Sequence, residues 1–124
     1  MIEISEAENI HAILIDKFGG SKGIRDMGLL ESALNRPYAT FGGEELYPNP
    51  TDKAAAILES ILINHPFVDG NKRTGYVLAR LLLLANNCDI EASQDEKYAF
   101  VIAITKGEMR IDDIKNWLVG HLAK

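Results

Sequence analysis

Apolar residues along this chain recur mostly at the three- and four-residue spacings of amphipathic helices. Six segments show the pattern, and capping residues, glycine or proline bound them. A long strand with alternating polarity occurs nowhere. The pattern therefore predicts an all-α fold, a compact bundle of about six helices. The predicted helices cover about 5–18, 29–36, 51–65, 71–87, 93–106 and 112–122.

Capping signals mark several of these helix ends. Ser5 with Glu8, and Ser93 with Glu96, have the Ser-x-x-Glu form of a capping box. Asp26 is expected to cap the second helix. The fourth helix carries apolar residues around most of its circumference, which is typical of a buried, central helix.

A segment rich in glycine and proline, residues 38–50, interrupts the helical pattern. Thr40-Phe41 and Leu46-Tyr47 lie on either side of the glycine pair Gly42-Gly43. This arrangement indicates a small β-hairpin or an irregular flap. The flap residues are Thr40, Phe41, Gly42, Gly43, Leu46 and Tyr47.

Composition narrows the possible functions. The length of 124 residues predicts a single domain over 1–124, and the net charge is −5. An acidic chain is a poor general nucleic-acid binder, because such affinity comes from neutralising phosphates. No apolar stretch is long enough to cross a membrane. One cysteine, Cys88, and no secretion signal predict a reducing, cytoplasmic location without a membrane partner.

One segment combines several reactive side chains in the turn between two predicted helices. It reads His-Pro-Phe-Val-Asp-Gly-Asn-Lys-Arg-Thr-Gly over residues 65–75. The helix that follows offers unpaired backbone N–H groups at its N-terminus, where Lys72 and Arg73 add positive charge. Gly70 lets a ligand approach the backbone closely. Together these features predict an anion site, most naturally for phosphate.

Two more side chains of this segment suggest chemistry on a bound phosphate. Asp69 is a hard oxygen ligand of the kind that holds Mg²⁺. His65 can take the proton of an attacking hydroxyl near neutral pH. The residues thus suggest phosphoryl or nucleotidyl transfer to a hydroxyl. Each also has a structural interpretation, such as Asp69 and Asn71 as helix caps and Phe67 as a core anchor.

In these residues the sequence resembles the Fic/Doc family. The family motif is His-Pro-Phe-x-Asp/Glu-Gly-Asn-Gly-Arg-x-x-Arg, which the chain matches in order from His65 with two departures. Lys72 stands at the motif glycine, and Tyr76 stands at the second arginine. Lysine is the mark of the Doc (death-on-curing) branch, whose motif Asn-Lys-Arg-Thr occurs at 71–74. A second block, which starts at Phe18-Gly19-Gly20, also resembles that branch.

The resemblance implies a role for each motif residue. His65 would be the general base on a Ser or Thr hydroxyl of a target protein, and Asp69 would help to bind Mg²⁺. Lys72 and Arg73 would also act in catalysis, by stabilising the charge of the transition state. The flap would dock the target. The nucleotide would be bound by Gly70, Asn71, Lys72 and Arg73.

The two departures bear on which group is transferred. Fic enzymes proper transfer AMP, and their glycine leaves room for phosphates that the second arginine holds. Lys72 fills that room, and Tyr76 lacks the charge of an arginine. The Doc resemblance therefore implies a toxin that transfers the γ-phosphate of Mg-ATP to a protein hydroxyl. For that branch the target type is a translation elongation factor, and the outcome is arrested translation.

Other interpretations stay open at this point. The same turn could transfer AMP or another nucleotidyl group to a protein. Alternatively, the chain could be a catalytically weak binding module that acts through an antitoxin complex. The resemblance also implies an antitoxin on a separate chain, since no inhibitory Ser/Thr-x-x-x-Glu-Gly/Asn helix is found.

Overall fold

Six α-helices enclose one apolar core in the computed structural model, which describes residues 1–124. A short 3₁₀ turn follows the second helix, and a two-stranded antiparallel hairpin joins it to the third. The predicted all-α fold with a small hairpin flap is therefore confirmed. The elements are α1 Ile4–Phe18, α2 Met27–Asn35, the 3₁₀ turn Arg36–Tyr38, β1 Thr40–Phe41, β2 Glu44–Glu45, α3 Pro50–Asn64, α4 Asn71–Leu84, α5 Gln94–Thr105 and α6 Ile111–Gly120.

Helix α3 is the centre of the core. Nearly all of its residues from Thr51 to Leu62 are buried, and it packs against α2, α4, α5 and α6. The predicted burial around most of α4 is wrong. Leu78 and Leu83 face the core, but Leu84 is 43% exposed, because no element covers that side of the helix. None of the helices combines the length and apolarity needed to span a bilayer.

Five of the six predicted helix starts differ from the structure by one or two residues, and only the start of α4 at Asn71 agrees. Helix α1 begins at Ile4, and its capping box joins Glu3 to Glu6, whose Oε1 accepts the Glu3 N–H at 3.1 Å. The predicted box of Ser5 and Glu8 is therefore wrong. The physical reason is that Ile4 packs against the core, which places the first helical turn earlier.

Helix α3 likewise starts one residue before the predicted range. Asn49 is its N-cap, and Pro50 occupies the first helical position, where the missing N–H of proline is no loss. The other predicted caps are confirmed. Asp26 Oδ1 accepts the Leu29 N–H at 3.0 Å, and Ser93 Oγ accepts the N–H of the residue three positions on at 3.1 Å.

The hairpin is shorter than the sequence suggested. Its second strand is Glu44–Glu45, so Leu46 and Tyr47 lie beyond the pairing. Gly42 and Gly43 have φ values of 60° and 82°. Two successive positive φ angles favour a tight turn that matches the twist of antiparallel strands, and glycine adopts them without strain.

Gly75 sets the distance between α3 and α4. A Cβ atom at this position would lie 2.5 Å from Leu62 Cδ1 and 3.1 Å from Ile61 Cγ2. Both neighbours are fully buried, so they have little freedom to move. The absence of a side chain therefore lets the helix that follows the 65–75 segment pack directly on the core.

The first prediction concerns this close approach. Gly75→Ala should lower the free energy of unfolding by about 1–3 kcal/mol, because the added methyl group overpacks the core. Gly120→Ala is the matched control, since it is also helical and nothing lies within 4 Å of its added Cβ. Urea unfolding of both variants tests the prediction. Equal stability of the Gly75→Ala variant and the parent chain would contradict it.

Candidate active site

A cavity of about 540 Å³ opens at the N-terminus of α4. One wall is the segment that the sequence singled out, and the opposite wall is α5, whose part in the site the sequence did not indicate. All six predicted catalytic and nucleotide-binding residues line the cavity. The lining residues of the first wall are His65, Val68, Asp69, Gly70, Asn71, Lys72, Arg73 and Tyr76, and those of α5 are Gln94, Lys97, Tyr98, Val101 and Ile102.

His65 is exposed at the cavity and ends α3 in a left-handed conformation, with φ 50° and ψ 63°. This backbone geometry is unfavourable for a residue with a side chain, so its surroundings must fix it. Arg25 supplies the contacts. Its Nε donates to the His65 carbonyl and its Nη2 to the Asn64 carbonyl, both at 2.7 Å. The guanidinium thus satisfies carbonyls that the helix leaves unpaired and carries a positive charge at its negative end.

The stretch that contains Arg25, residues 19–26, forms an N-terminal strap along the 65–69 turn. Val68 N–H donates to the Gly23 carbonyl at 3.0 Å, and Arg25 N–H donates to the Pro66 carbonyl at 2.7 Å. The strap belongs to the second block of family resemblance, whose structural role was not predicted from the sequence. Its pairing with the turn explains why that block and the motif occur together.

Asp69 is held by the same strap. Its Oδ2 accepts the Ser21 N–H at 3.1 Å, and its Oδ1 accepts the Gly70 N–H at 2.8 Å. These backbone hydrogen bonds, first that from Ser21, lower the pKa of the Asp69 carboxyl below its ordinary value. The N-cap of α4 is Gly70, so Asp69 does not cap that helix. The carboxylate is instead ionised and oriented at the edge of the cavity.

Asn71 lines the cavity, but its side-chain amide closes the turn. Its Oδ1 accepts the Phe67 N–H and its Nδ2 donates to the Phe67 carbonyl, both at 3.0 Å. Its side-chain amide is therefore committed to the backbone of the turn. The backbone N–H of Asn71, in the first turn of α4, has no partner within the helix and can still serve an anion.

Beneath the turn lies His11, a residue of α1 that is 58 positions before Asp69 in the sequence. Its ring stacks on Phe67 with centroids 4.1 Å apart, and its Nε2 lies 2.7 Å from the Asp69 carbonyl oxygen. Phe67 is 1% exposed, which confirms it as a core anchor. His11 is thus a buried support of the turn. Its inward position on α1 was predictable from helical spacing, but its partner was not.

Lys72 and Arg73 are exposed in the first turn of α4, and neither takes part in an ion pair. Tyr76 lies one turn further on, and its buried hydroxyl has no hydrogen-bond partner. Burial raises the pKa of this hydroxyl, so it is neutral and available as a donor. Two unpaired cations at a helix N-terminus provide the charge that an anionic ligand requires.

The predicted flap residues lie outside the cavity lining. Phe41 is 80% exposed and Leu46 is 52% exposed, whereas the Tyr47 hydroxyl accepts a hydrogen bond from Arg36 Nε at 3.2 Å. Arg36 in turn pairs with the buried Glu59 at 2.9 Å. The root of the flap is therefore anchored to α3, while its tip presents apolar side chains to solvent.

Comparisons with known proteins bear on this geometry. A sequence profile of the Fic/DOC family matches residues 2–83. Toxin Doc of Mycolicibacterium smegmatis is 42% identical over 125 residues, which cover 99% of this chain and 96% of that protein. The chain belongs to the Fic/Doc family. Members of this family are transferases that generally use a nucleotide with Mg²⁺.

The match to the Fic/Doc profile covers only part of the cavity. Residues 2–83 include α1, the N-terminal strap and the 65–75 segment, but they end within α4. The wall contributed by α5 lies outside the matched range. The match to Toxin Doc does include α5, so the family resemblance found in the sequence is confirmed over nearly the whole chain.

The second prediction concerns the glycines of the strap. A Cβ at Gly20 would lie 2.7 Å from Asp69 Oδ2, so Gly20→Ala should push the carboxylate away from the Ser21 N–H. Because that bond favours the ionised form, its loss should raise the pKa of Asp69 toward the ordinary carboxyl value. NMR titration of the Asp69 carboxyl carbon measures the change.

Gly19→Ala is the matched control for this prediction. Gly19 has φ 91° and Gly20 has φ 116°, so an alanine is strained at either position. Nothing lies within 4 Å of a Cβ at Gly19, however. The pKa of Asp69 should therefore stay low in Gly19→Ala. Equal pKa changes in the two variants would show that backbone strain, and not the contact with Oδ2, controls the carboxylate.

Proposed function

We propose that this chain is a Doc-type toxin, a protein kinase that transfers the γ-phosphate of Mg-ATP to a Ser or Thr hydroxyl of a target protein. One observation carries the proposal. A general-base side chain, an ionised carboxylate and two unpaired cations at a helix N-terminus line the same wall of one cavity. The 42% sequence identity to Toxin Doc supports the toxin assignment.

The phosphates of ATP would bind at the N-terminus of α4. The unpaired backbone N–H groups of its first turn, with Lys72 and Arg73, match the charge and the hydrogen-bonding needs of phosphate oxygens. Asp69 would hold Mg²⁺, since its hard carboxylate oxygens are oriented by two N–H donors. Bound Mg²⁺ would neutralise part of the phosphate charge. No group of three or more His, Cys, Asp or Glu side chains converges on a metal position, so phosphate oxygens and water would complete the coordination.

His65 would accept the proton of the target hydroxyl while that oxygen forms a bond to the γ-phosphorus. The bond between the γ-phosphorus and the oxygen that bridges to the β-phosphate would break, and ADP would leave. Lys72 and Arg73 would stabilise the charge that develops on the transferred group. His65 would then release its proton to solvent. Arg25 supports this role, because it fixes the backbone from which the imidazole projects.

Transfer of the γ-phosphate is favoured over transfer of AMP by the two departures from the Fic motif. Lys72 lines the cavity where the motif has glycine, and its side chain takes space that an AMP-transferring enzyme leaves for phosphates. Tyr76 lines the same cavity and provides a neutral hydroxyl where the motif has an arginine. AMP transfer remains the alternative that the labelling experiment below distinguishes.

The proposal extends to a target and a regulator, for which the family relationship is the support. The exposed Phe41 and Leu46 of the flap would contact an extended segment of the target, which we propose to be a translation elongation factor in the cytoplasm. Phosphorylation of that factor would arrest translation. A separate antitoxin chain would restrain the activity, since a relative of this chain is named a toxin.

The third prediction identifies the transferred group. Purified protein is incubated with bacterial lysate, Mg²⁺ and ATP labelled at either the α or the γ phosphate. Label should reach a protein band only from γ-labelled ATP, and His65→Ala should abolish it. Label from α-labelled ATP would identify an AMP transferase and contradict the argument from Lys72 and Tyr76.

The fourth prediction tests the phosphate site without requiring the target. Mg-ATP at about 100 times its dissociation constant should stabilise the native state by about 2.7 kcal/mol, which thermal unfolding detects. Arg73→Ala should reduce this shift, because it removes an unpaired cation from the site. Arg80→Ala is a control on the same helix, since Arg80 pairs with Asp89 outside the cavity and should keep the shift. A full shift in Arg73→Ala would exclude Arg73 from phosphate binding.

A further inference from the structure

Phe18 is an aromatic residue that the core does not use. It is the last residue of α1, its side chain is 52% exposed, and it does not line the cavity. Its ring nevertheless has a specific partner, because Arg73 Cζ lies 4.0 Å from the ring centroid. This distance is well within the range of a cation–π contact.

We propose that Phe18 is a positioning residue that holds the Arg73 guanidinium in place for the phosphates of the nucleotide. The inference deepens the proposed function and rests on it. It assigns a role to an exposed side chain that lies 55 positions before Arg73 in the sequence.

Stacking orients the guanidinium without occupying its donors. An arginine has five N–H groups in one plane, and a carboxylate partner would take up two of them. Arg73 has no ion-pair partner, and its Cζ atom lies 4.0 Å from the centroid of a ring that offers no oxygen or nitrogen acceptor to its N–H groups. All five donors at the edge stay available to phosphate oxygens. A side chain fixed in advance also loses less conformational freedom when the ligand binds.

Stacking on Phe18 also keeps Arg73 away from Asp69. The two residues are four positions apart in the sequence, yet no ion pair joins them. The Asp69 carboxylate is held instead by the N–H groups of Ser21 and Gly70. Because the strap that holds Asp69 starts directly after Phe18, one continuous stretch of chain holds both the carboxylate and the cation. Lys17 is also near the ring, but its Nζ lies 5.3 Å from the ring centroid. Arg73 is therefore the closer of the two cations.

Substitution of the ring tests the role of Phe18. Phe18→Leu keeps an apolar side chain but removes the π face, so the dissociation constant of Mg-ATP should rise about two- to five-fold, the range of an exposed cation–π contact. Phe18→Trp should restore the affinity, which a role in packing alone does not predict. Ile13→Leu is the matched control, since Ile13 lies on the same helix and is 63% exposed. In this variant the dissociation constant of Mg-ATP should stay at the value of the parent chain.

A double-mutant cycle shows whether the effect acts through Arg73. In an Arg73→Ala background, Phe18→Leu should cause no further loss of Mg-ATP affinity. An equal loss in both backgrounds, or no loss in either, would overturn the proposal. Failure of the proposed function has a different signature, because the parent chain itself would then fail to bind Mg-ATP. In a parent chain that binds, an NMR shift of the Arg73 side chain caused by the Phe18 ring should disappear in Phe18→Leu, and its persistence would also overturn the proposal.

Discussion

The pairing of Arg25 with the last carbonyls of α3 is the contact on which the geometry of the site depends. At this point the chain leaves a buried helix through a left-handed residue that is not glycine. The two hydrogen bonds of 2.7 Å from the guanidinium stabilise that conformation and offset the loss of helical hydrogen bonding. His65 is therefore presented at the cavity by a rigid backbone. The adjacent bonds between the strap and the turn extend the same support to Asp69.

Supports from three directions make the turn rigid before any ligand arrives. The strap pairs with it along one edge, His11 stacks beneath Phe67, and Gly75 lets α4 pack closely on α3. Catalysis of phosphoryl transfer depends mainly on positioning and on stabilising charge. Under the proposed function, a turn that is fixed in the folded chain would supply both, since its dipoles and charges would need little reorganisation on nucleotide binding.

The features that depend on the spacing of nearby residues, the helices and the candidate site, were predicted from the sequence. Helical periodicity identified six helices, and the candidate site was visible because its residues are contiguous, so one turn brings them together. The supports were not predictable, since His11 and Arg25 lie 39 or more positions before the residues whose carbonyls they bind. No periodic pattern encodes such pairings. The wrong capping box at Ser5 has a related cause, because the contact of Ile4 with the core overrides a local preference for serine as a cap.

Contacts within the folded chain, and not distance along the sequence, keep the opposite charges of the site from pairing with one another. Asp69, Lys72 and Arg73 are close enough in the chain to neutralise one another, and an ion pair between them would leave little for a ligand. Backbone N–H groups donate to the carboxylate, and the ring of Phe18 makes a cation–π contact with Arg73. Neither of these partners carries a formal charge. The carboxylate and the cation are thus both oriented and yet both available, which is what the proposed binding of a phosphate with its metal ion would require.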